Sequence, residues 1–208
     1  DAAILDADSN FSWDVVTISK QKKKGDPHPR PILSTTTNPD AGVVNILKSE
    51  TISPISGVAI VSADLDNDGF IDIVTWEASA ITFNRGGPDA SFSPFANAQW
   101  LAPSEILDCS PADFDSDGDI DLIIACQGSV EVLINEGGNA NNWIDIPIRA
   151  ENAKQAQKPN ERVNIHGVGS LLELRSGAAY QPQVVTGRST HFGLGKQKQV
   201  DSARVLWT

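Results

Sequence analysis

The chain has 208 residues, 16 Lys and Arg against 27 Asp and Glu, a formal charge of -11 and 40% apolar residues. It is long enough for one or two domains with real cores, and its apolar residues are too numerous and too evenly spread between turn formers for a disordered acidic tail. No stretch approaches the roughly 20 consecutive apolar residues of a membrane helix, and a chain whose only basic run is Lys22-Lys23-Lys24 lacks the basic footprint that phosphate contacts demand.

The chain starts on Asp1, contains no Met and ends on Val205-Leu206-Trp207-Thr208, which reads as the middle of a strand. A piece of a longer protein is therefore expected, and the absence of a visible signal peptide says nothing about export.

The first element in chain order is an acidic segment that recurs. Asp6-Ala-Asp8-Ser-Asn10-Phe11-Ser-Trp-Asp14 is a partly eroded copy of a DxDxDGxxD pattern. Asp64-Leu-Asp66-Asn-Asp68-Gly69-Phe-Ile-Asp72 and Asp113-Phe-Asp115-Ser-Asp117-Gly118-Asp-Ile-Asp121 fit it at every fixed position. In a tightly curled loop, side chains at positions one, three and five converge, and position nine closes the shell from the start of the next strand. That set of hard oxygen ligands suits Ca²⁺. The glycine at position six permits a positive φ, so the chain can turn back and offer the carbonyl of position seven, Phe70 or Asp119. Two full-strength Ca²⁺ sites and one weaker one, at Asp6, Asp8, Asn10 and Asp14, are expected. An EF-hand would need Glu at position twelve, where Thr75 and Ile124 stand. A plain acidic turn would explain one copy but not three.

Between the first loop and the second, Lys20 to Asp40, with KKKGDPHPRP at its centre, reads as a solvated insertion, the rival reading being a basic contact for an anionic partner. His28 within it is a surface histidine on this reading.

Short apolar runs flank each complete loop: Val58–Val61 and Ile71–Trp76 around the second, Ile106-Leu107 and Ile120–Ala125 around the third. They are strand-length and β-rich, so each loop is the bend of a hairpin. A further run, Ala80–Asn84 or Val130–Asn135, ends in Arg85-Gly86-Gly87 or Glu136-Gly137-Gly138. Successive loops start 58 and 49 residues apart, room for three or four strands per unit and the size of a propeller blade.

The two cysteines, Cys109 and Cys126, form no CxxC pair. In a hairpin centred near Asp117 they would face each other across the third loop, within reach of a disulfide that would mark an oxidising compartment. A pair of buried free thiols in a reducing compartment is the alternative.

Apolar strand, DxDxDGxxD, Ile/Leu-rich strand and a strand ending in Asn-x-Gly-Gly together resemble the FG-GAP or VCBS repeat, similar to the calcium-binding blades of integrin α-subunit propellers. The resemblance spans residues 1-140, with repeats around 1-50, 51-100 and 101-140. It implies Ca²⁺ ligation by Asp64, Asp66, Asp68 and Asp72, by Asp113, Asp115, Asp117 and Asp121, and at the eroded copy by Asp6, Asp8, Asn10 and Asp14.

From Asn142 the acidic loops stop. Asn142–Arg149 reads as a strand, Glu151 to Glu161 as a polar connection, Leu171–Arg175 and Gln183–Val185 as a hairpin around Ser176-Gly177, and Val200–Trp207 as a last strand. Asn142-Trp143-Ile144, Gly167–Leu174, His191-Phe-Gly-Leu-Gly195 and Val205-Leu206-Trp207 resemble the ASPIC/UnbV domain, which follows FG-GAP repeats in proteins similar to cartilage acidic protein; residues 141-208 would be such a domain cut short at its C-terminus.

His191 is read as a polar residue closing a turn, and His166 carries no catalytic pattern, as no GxSxG, HExxH or Cys/His pairing exists. Gly167-Val168-Gly169 opens a strand and is no dinucleotide fingerprint. Trp13, Trp76, Trp100, Trp143 and Trp207 are mostly packing residues. The resulting expectation is an all-β chain of partial propeller-type blades followed by a small β domain, acting as an exported, calcium-dependent, non-enzymatic module that presents a rigid face to a protein or glycan partner. The alternatives are an accessory or structural subunit of a larger extracytoplasmic complex and an enzyme-associated biosynthetic protein.

Overall fold

A computed structural model describes residues 1–6, 13–18, 31–37, 45–52, 55–150 and 164–207. These form an all-β fold of five small antiparallel sheets, with two single 3-10 turns, at Pro88–Ala90 and Gly138–Ala140, as the helical content. Among the described residues no helix is long and apolar enough to cross a membrane, and no sheet closes into a ring.

The first sheet is a meander of β1 (Ala2–Leu5), β2 (Asp14–Ile18), β3 (Pro31–Thr37) and β4 (Asn45–Thr51). The second repeats that plan with β5 (Ala59–Ala63), β6 (Asp72–Glu77), β7 (Ala80–Gly87) and β8 (Ser91–Leu101). The third has β9 (Ile106–Ala112), β10 (Asp121–Cys126) and β11 (Ser129–Leu133) in the order β11-β10-β9. Two further sheets follow: β12 (Asn142–Pro147) pairs with β15 (Ser189–Gly195), and β13 (Leu171–Ser176) lies between β14 (Ala179–Val184) and β16 (Ser202–Leu206).

Burial explains how the first three sheets stack. β6 is buried on both faces, whereas β2 alternates between buried and half-buried positions. Ile73 of β6 packs with Val16, Leu33 and Ile60, while its neighbours Val74 and Trp76 pack with Ile106, Leu122 and Ile124. Successive side chains of a strand point to opposite faces. The second sheet is therefore the middle layer of three. A separate core of Ile148, Leu172, Leu174, Val185, Phe192 and Leu194 holds the last two sheets together.

The acidic segments sit at the same place in each of the first three sheets. Position nine of the motif opens the second strand and faces the residue just before position one: Leu5 opposite Asp14, Ala63 opposite Asp72, Ala112 opposite Asp121. Positions Asp8, Asn10 and Phe11 of the first segment lie outside the described residues, as do His28 and the connection from Glu151 to Glu161.

Three expectations are corrected. Part of the insertion expected from Lys20 to Asp40 is strand β3, whose Leu33 is buried in the first core. Cys109 and Cys126 do not face each other: Cys109 is opposite Ile124 and Cys126 opposite Ile106, and both thiols are free and buried. Facing cysteines would need Asp121 opposite Phe114, but the ladder sets it opposite Ala112, two residues away, where backbone amides hold both of its oxygens. His191 closes no turn but lies inside β15, opposite Asp145, because its neighbour Phe192 anchors that strand in the C-terminal core.

Candidate metal centre

The second and third loops share one hydrogen-bond plan, displaced by 49 residues. Position four is in the left-handed region (Asn67 φ 57°, Ser116 φ 64°), and so is the glycine at position six (Gly69 φ 95°, Gly118 φ 92°). Two left-handed residues separated by one curl the backbone tightly enough to turn its amides inward. The amide of Gly69 then donates to Asp64 Oδ2 at 2.9 Å, and that of Gly118 to Asp113 Oδ2 at 3.1 Å. The amides of Phe70 and Asp119 donate to Asp68 Oδ1 and Asp117 Oδ1, each at 2.9 Å.

Position nine braces the base. Asp72 accepts from the amides of Leu65 and Gly86, both at 2.7 Å; Asp121 accepts from Phe114 at 2.8 Å and Asn135 at 2.7 Å. The Gly-Gly ends noted in the sequence are thus not equivalent, since Gly86 corresponds to Asn135 and not to Gly137.

Asp64, Asp66 and Asp72 bring one carboxylate oxygen each within 4.8 Å of the others, and so do Asp113, Asp115 and Asp117. Asp68 and Asp121 fall outside those tightest sets. Asp66 Oδ1 and Asp113 Oδ1 are buried with no hydrogen-bond partner. A carboxylate oxygen cut off from both water and donors is costly, and it is satisfied by a cation. The donor sets therefore fit Ca²⁺, with Asp66 and Asp113 each offering a free oxygen.

The two loops differ in setting. Asp64, Asp66 and Asp72 are buried, whereas Asp115 and Asp117 are exposed. Burial pushes the Asp64 carboxyl up to about 7; the Gly69 amide opposes this, and Asp68 and Asp66 add to it. Burial likewise carries Asp72 to about 8 against the amides of Leu65 and Gly86. Partial desolvation raises Asp115 as well, and the Asp117 charge adds to it. Such groups take up protons when no metal is near. Asp66 also forms an ion pair with Arg85 through Oδ2.

Residues that the motif leaves unspecified join the loops. Asn67 Nδ2 donates to the Gly118 carbonyl and to Asp119 Oδ1, both at 3.0 Å, and Asn67 Oδ1 meets His191 Nε2 at 2.7 Å. Because Asn67 presents its oxygen, His191 donates from Nε2; burial lowers its pKa and keeps the ring neutral. The other oxygen of Asp119 accepts from the Gly138 amide at 3.0 Å. Asn135 Nδ2 and Asn141 Nδ2 donate to the carbonyls of Leu65 and Asp66.

β15 lies directly on the second loop. The Gly195 amide donates to the Asn67 carbonyl at 2.8 Å, and Gly193 passes so close to Asp64 and Asn67 that a Cβ there would collide with both. Trp143 of β12 stacks on His191 at 5.6 Å and covers Gly118. The sequence signals for this junction were the left-handed preference of Asn at position four and the compact HFGLG run, but neither names its partner.

Searches of curated proteins and of solved structures find no match to the chain. Residues 64–124, from the first aspartate of the second loop through the third loop into β10, match the FG-GAP-like repeat, so the unit that carries both complete acidic loops is an FG-GAP-like repeat.

Proposed function

We propose that this protein is a calcium-binding, non-enzymatic interaction module in which Ca²⁺ fixes the loops at the ends of propeller-type blades, and the stiffened face is presented to a protein or glycan partner. The observation that carries this reading is the pair of buried, partnerless oxygens, Asp66 Oδ1 and Asp113 Oδ1, each inside a convergent carboxylate cluster. Asp64, Asp66, Asp68 and Asp72 with the Phe70 carbonyl would hold one ion, and Asp113, Asp115, Asp117 and Asp121 with the Asp119 carbonyl a second. Asp6, Asp8, Asn10 and Asp14 would form a weaker third; the buried Asp14 at the head of β2 supports that placement.

On this reading residues 1-140 are the blades and residues 141-208 an ASPIC/UnbV-like unit docked on them. The setting is extracytoplasmic, in keeping with the FG-GAP-like repeat. Three bound ions would move the formal charge from -11 to about -5, relieving self-repulsion.

Thermal melts in 1 mM Ca²⁺ and in EGTA test it. Sites of the 10⁻⁴ to 10⁻³ M class would each add on the order of 1 kcal/mol. Asp66→Ala and Asp115→Ala should each remove one binding event by calorimetry, and Asn10→Ala much less. Identical melts with and without calcium, together with no heat of binding, would refute the proposal.

A further inference from the structure

The repeat displaced by 49 residues makes each loop a control for the other, and the comparison isolates one cation. Arg85, in β7, pairs with Asp66 Oδ2, and its guanidinium lies 4.8 Å above the Phe95 ring of β8. The pairing register of the two sheets sets Ile73 opposite Asn84 and Leu122 opposite Leu133, so the position matching Arg85 is Ile134. The third sheet has no strand in the place of β8 among the described residues, and hence no counterpart to the aromatic shelf.

We propose that Arg85 is the built-in counter-cation of the second loop: it neutralises Asp66 without metal and lowers that loop's affinity for Ca²⁺, so the third loop is the more responsive site. This rests on the calcium reading above. Asp66 is only 9% exposed, and its Oδ1 stays buried and free while Oδ2 is paired, so the carboxylate has one oxygen for a metal and one for the arginine. A divalent ion entering the second loop meets a site already partly neutralised; one entering the third meets exposed Asp115 and Asp117 with an isoleucine where that cation would stand. A fixed positive charge this near the shell repels a divalent ion directly, and at the high effective dielectric of a half-exposed group the effect is about tenfold in affinity. The Phe95 ring, by cation–π contact, keeps the guanidinium over the loop instead of in solvent.

The test is calcium calorimetry on the full chain in four forms: unaltered, Asp115→Asn to silence the third loop, Arg85→Gln, and the two changes combined. The expected result is that Arg85→Gln tightens the second site about tenfold in the Asp115→Asn background and lowers the melting temperature in EGTA, with Arg85→Lys restoring both. Should Arg85→Gln fail to fold, Ile134→Arg applies the same charge rule beside the third loop and is expected to weaken that site about threefold. Unchanged or weaker binding in Arg85→Gln overturns the proposal, since a merely bracing arginine would show that sign; so does an unaffected third site in Ile134→Arg. No calcium heat in the unaltered protein instead overturns the calcium reading itself, a result separable from the first.

Discussion

Replacing Asn67 by alanine tests whether the two acidic loops are held as one unit. Asn67 is fully buried, sits at φ 57° and makes three side-chain contacts of 2.7 to 3.0 Å: to Gly118, to Asp119 and to His191. Losing the three bonds, with the Gly118 carbonyl and the His191 N–H left without that partner in a site closed to water, costs about 1 kcal/mol per bond. A left-handed alanine costs roughly another 1 kcal/mol. The expected loss is about 4 kcal/mol, a large share of the ~5–15 kcal/mol that holds a typical domain. In urea, with m of about 2 kcal/mol/M, the midpoint should fall by about 2 M. Asn67→Gly removes the same side chain but relieves the backbone, so it should recover about 1 kcal/mol. A loss below about 1 kcal/mol in Asn67→Ala, measured in EGTA, would refute the network, and equal losses in the two variants would refute the backbone share.

The elevated Asp64 and Asp72 carboxyls, at about 7 and about 8, set a pH dependence. The calcium-free native state holds protons that the unfolded chain releases near pH 4, so this contribution is full below about pH 4 and is lost as pH rises through 7 to 8. Melts in EGTA should fall from pH 5 to pH 8, while calcium affinity climbs over the same range and binding releases protons, seen as a buffer-dependent enthalpy; a flat profile in both would contradict it. Burial pushes the Cys109 thiol up to about 12, and Cys126 is buried beside it in the second core, so neither should react with a thiol reagent until the chain unfolds. The denatured, unreduced chain should then yield two thiols, and finding none would mean that the pair is bonded after all.

The acidic loops were legible because everything that defines them is local: nine residues in succession carry both the carboxylates and the glycine that bends them inward. The flanking strands were legible for the same reason, their apolar runs being bounded by turn formers. What escaped is what depends on residues far apart in the chain. His191 meets Asn67 across 124 positions, and no periodicity announces such a contact. Asn67 and Ser116 occupy a position that the DxDxDG pattern treats as free, yet their left-handed backbone helps to set the loop's curl. The cysteine expectation erred by two residues of register, Cys109 facing Ile124 and not Cys126, because a bend of nine residues can close on more than one ladder, and Asp121, held by the Asn135 amide beyond β11, favours the one seen. β3 was hidden by a basic, proline-rich approach, although Leu33 lies in the first core.

The bond from Asn67 to Asp119 has a consequence for how the molecule opens. Local unfolding proceeds in contiguous cooperative units, and its free energy is set by what must break together. Loop two cannot swing away without releasing loop three at Gly118, β15 at Gly195 and the ring of His191. The amides of Gly69, Gly118 and Gly195, far apart in sequence but all bonded within this junction, are therefore expected to exchange with solvent at a common rate, through one opening event.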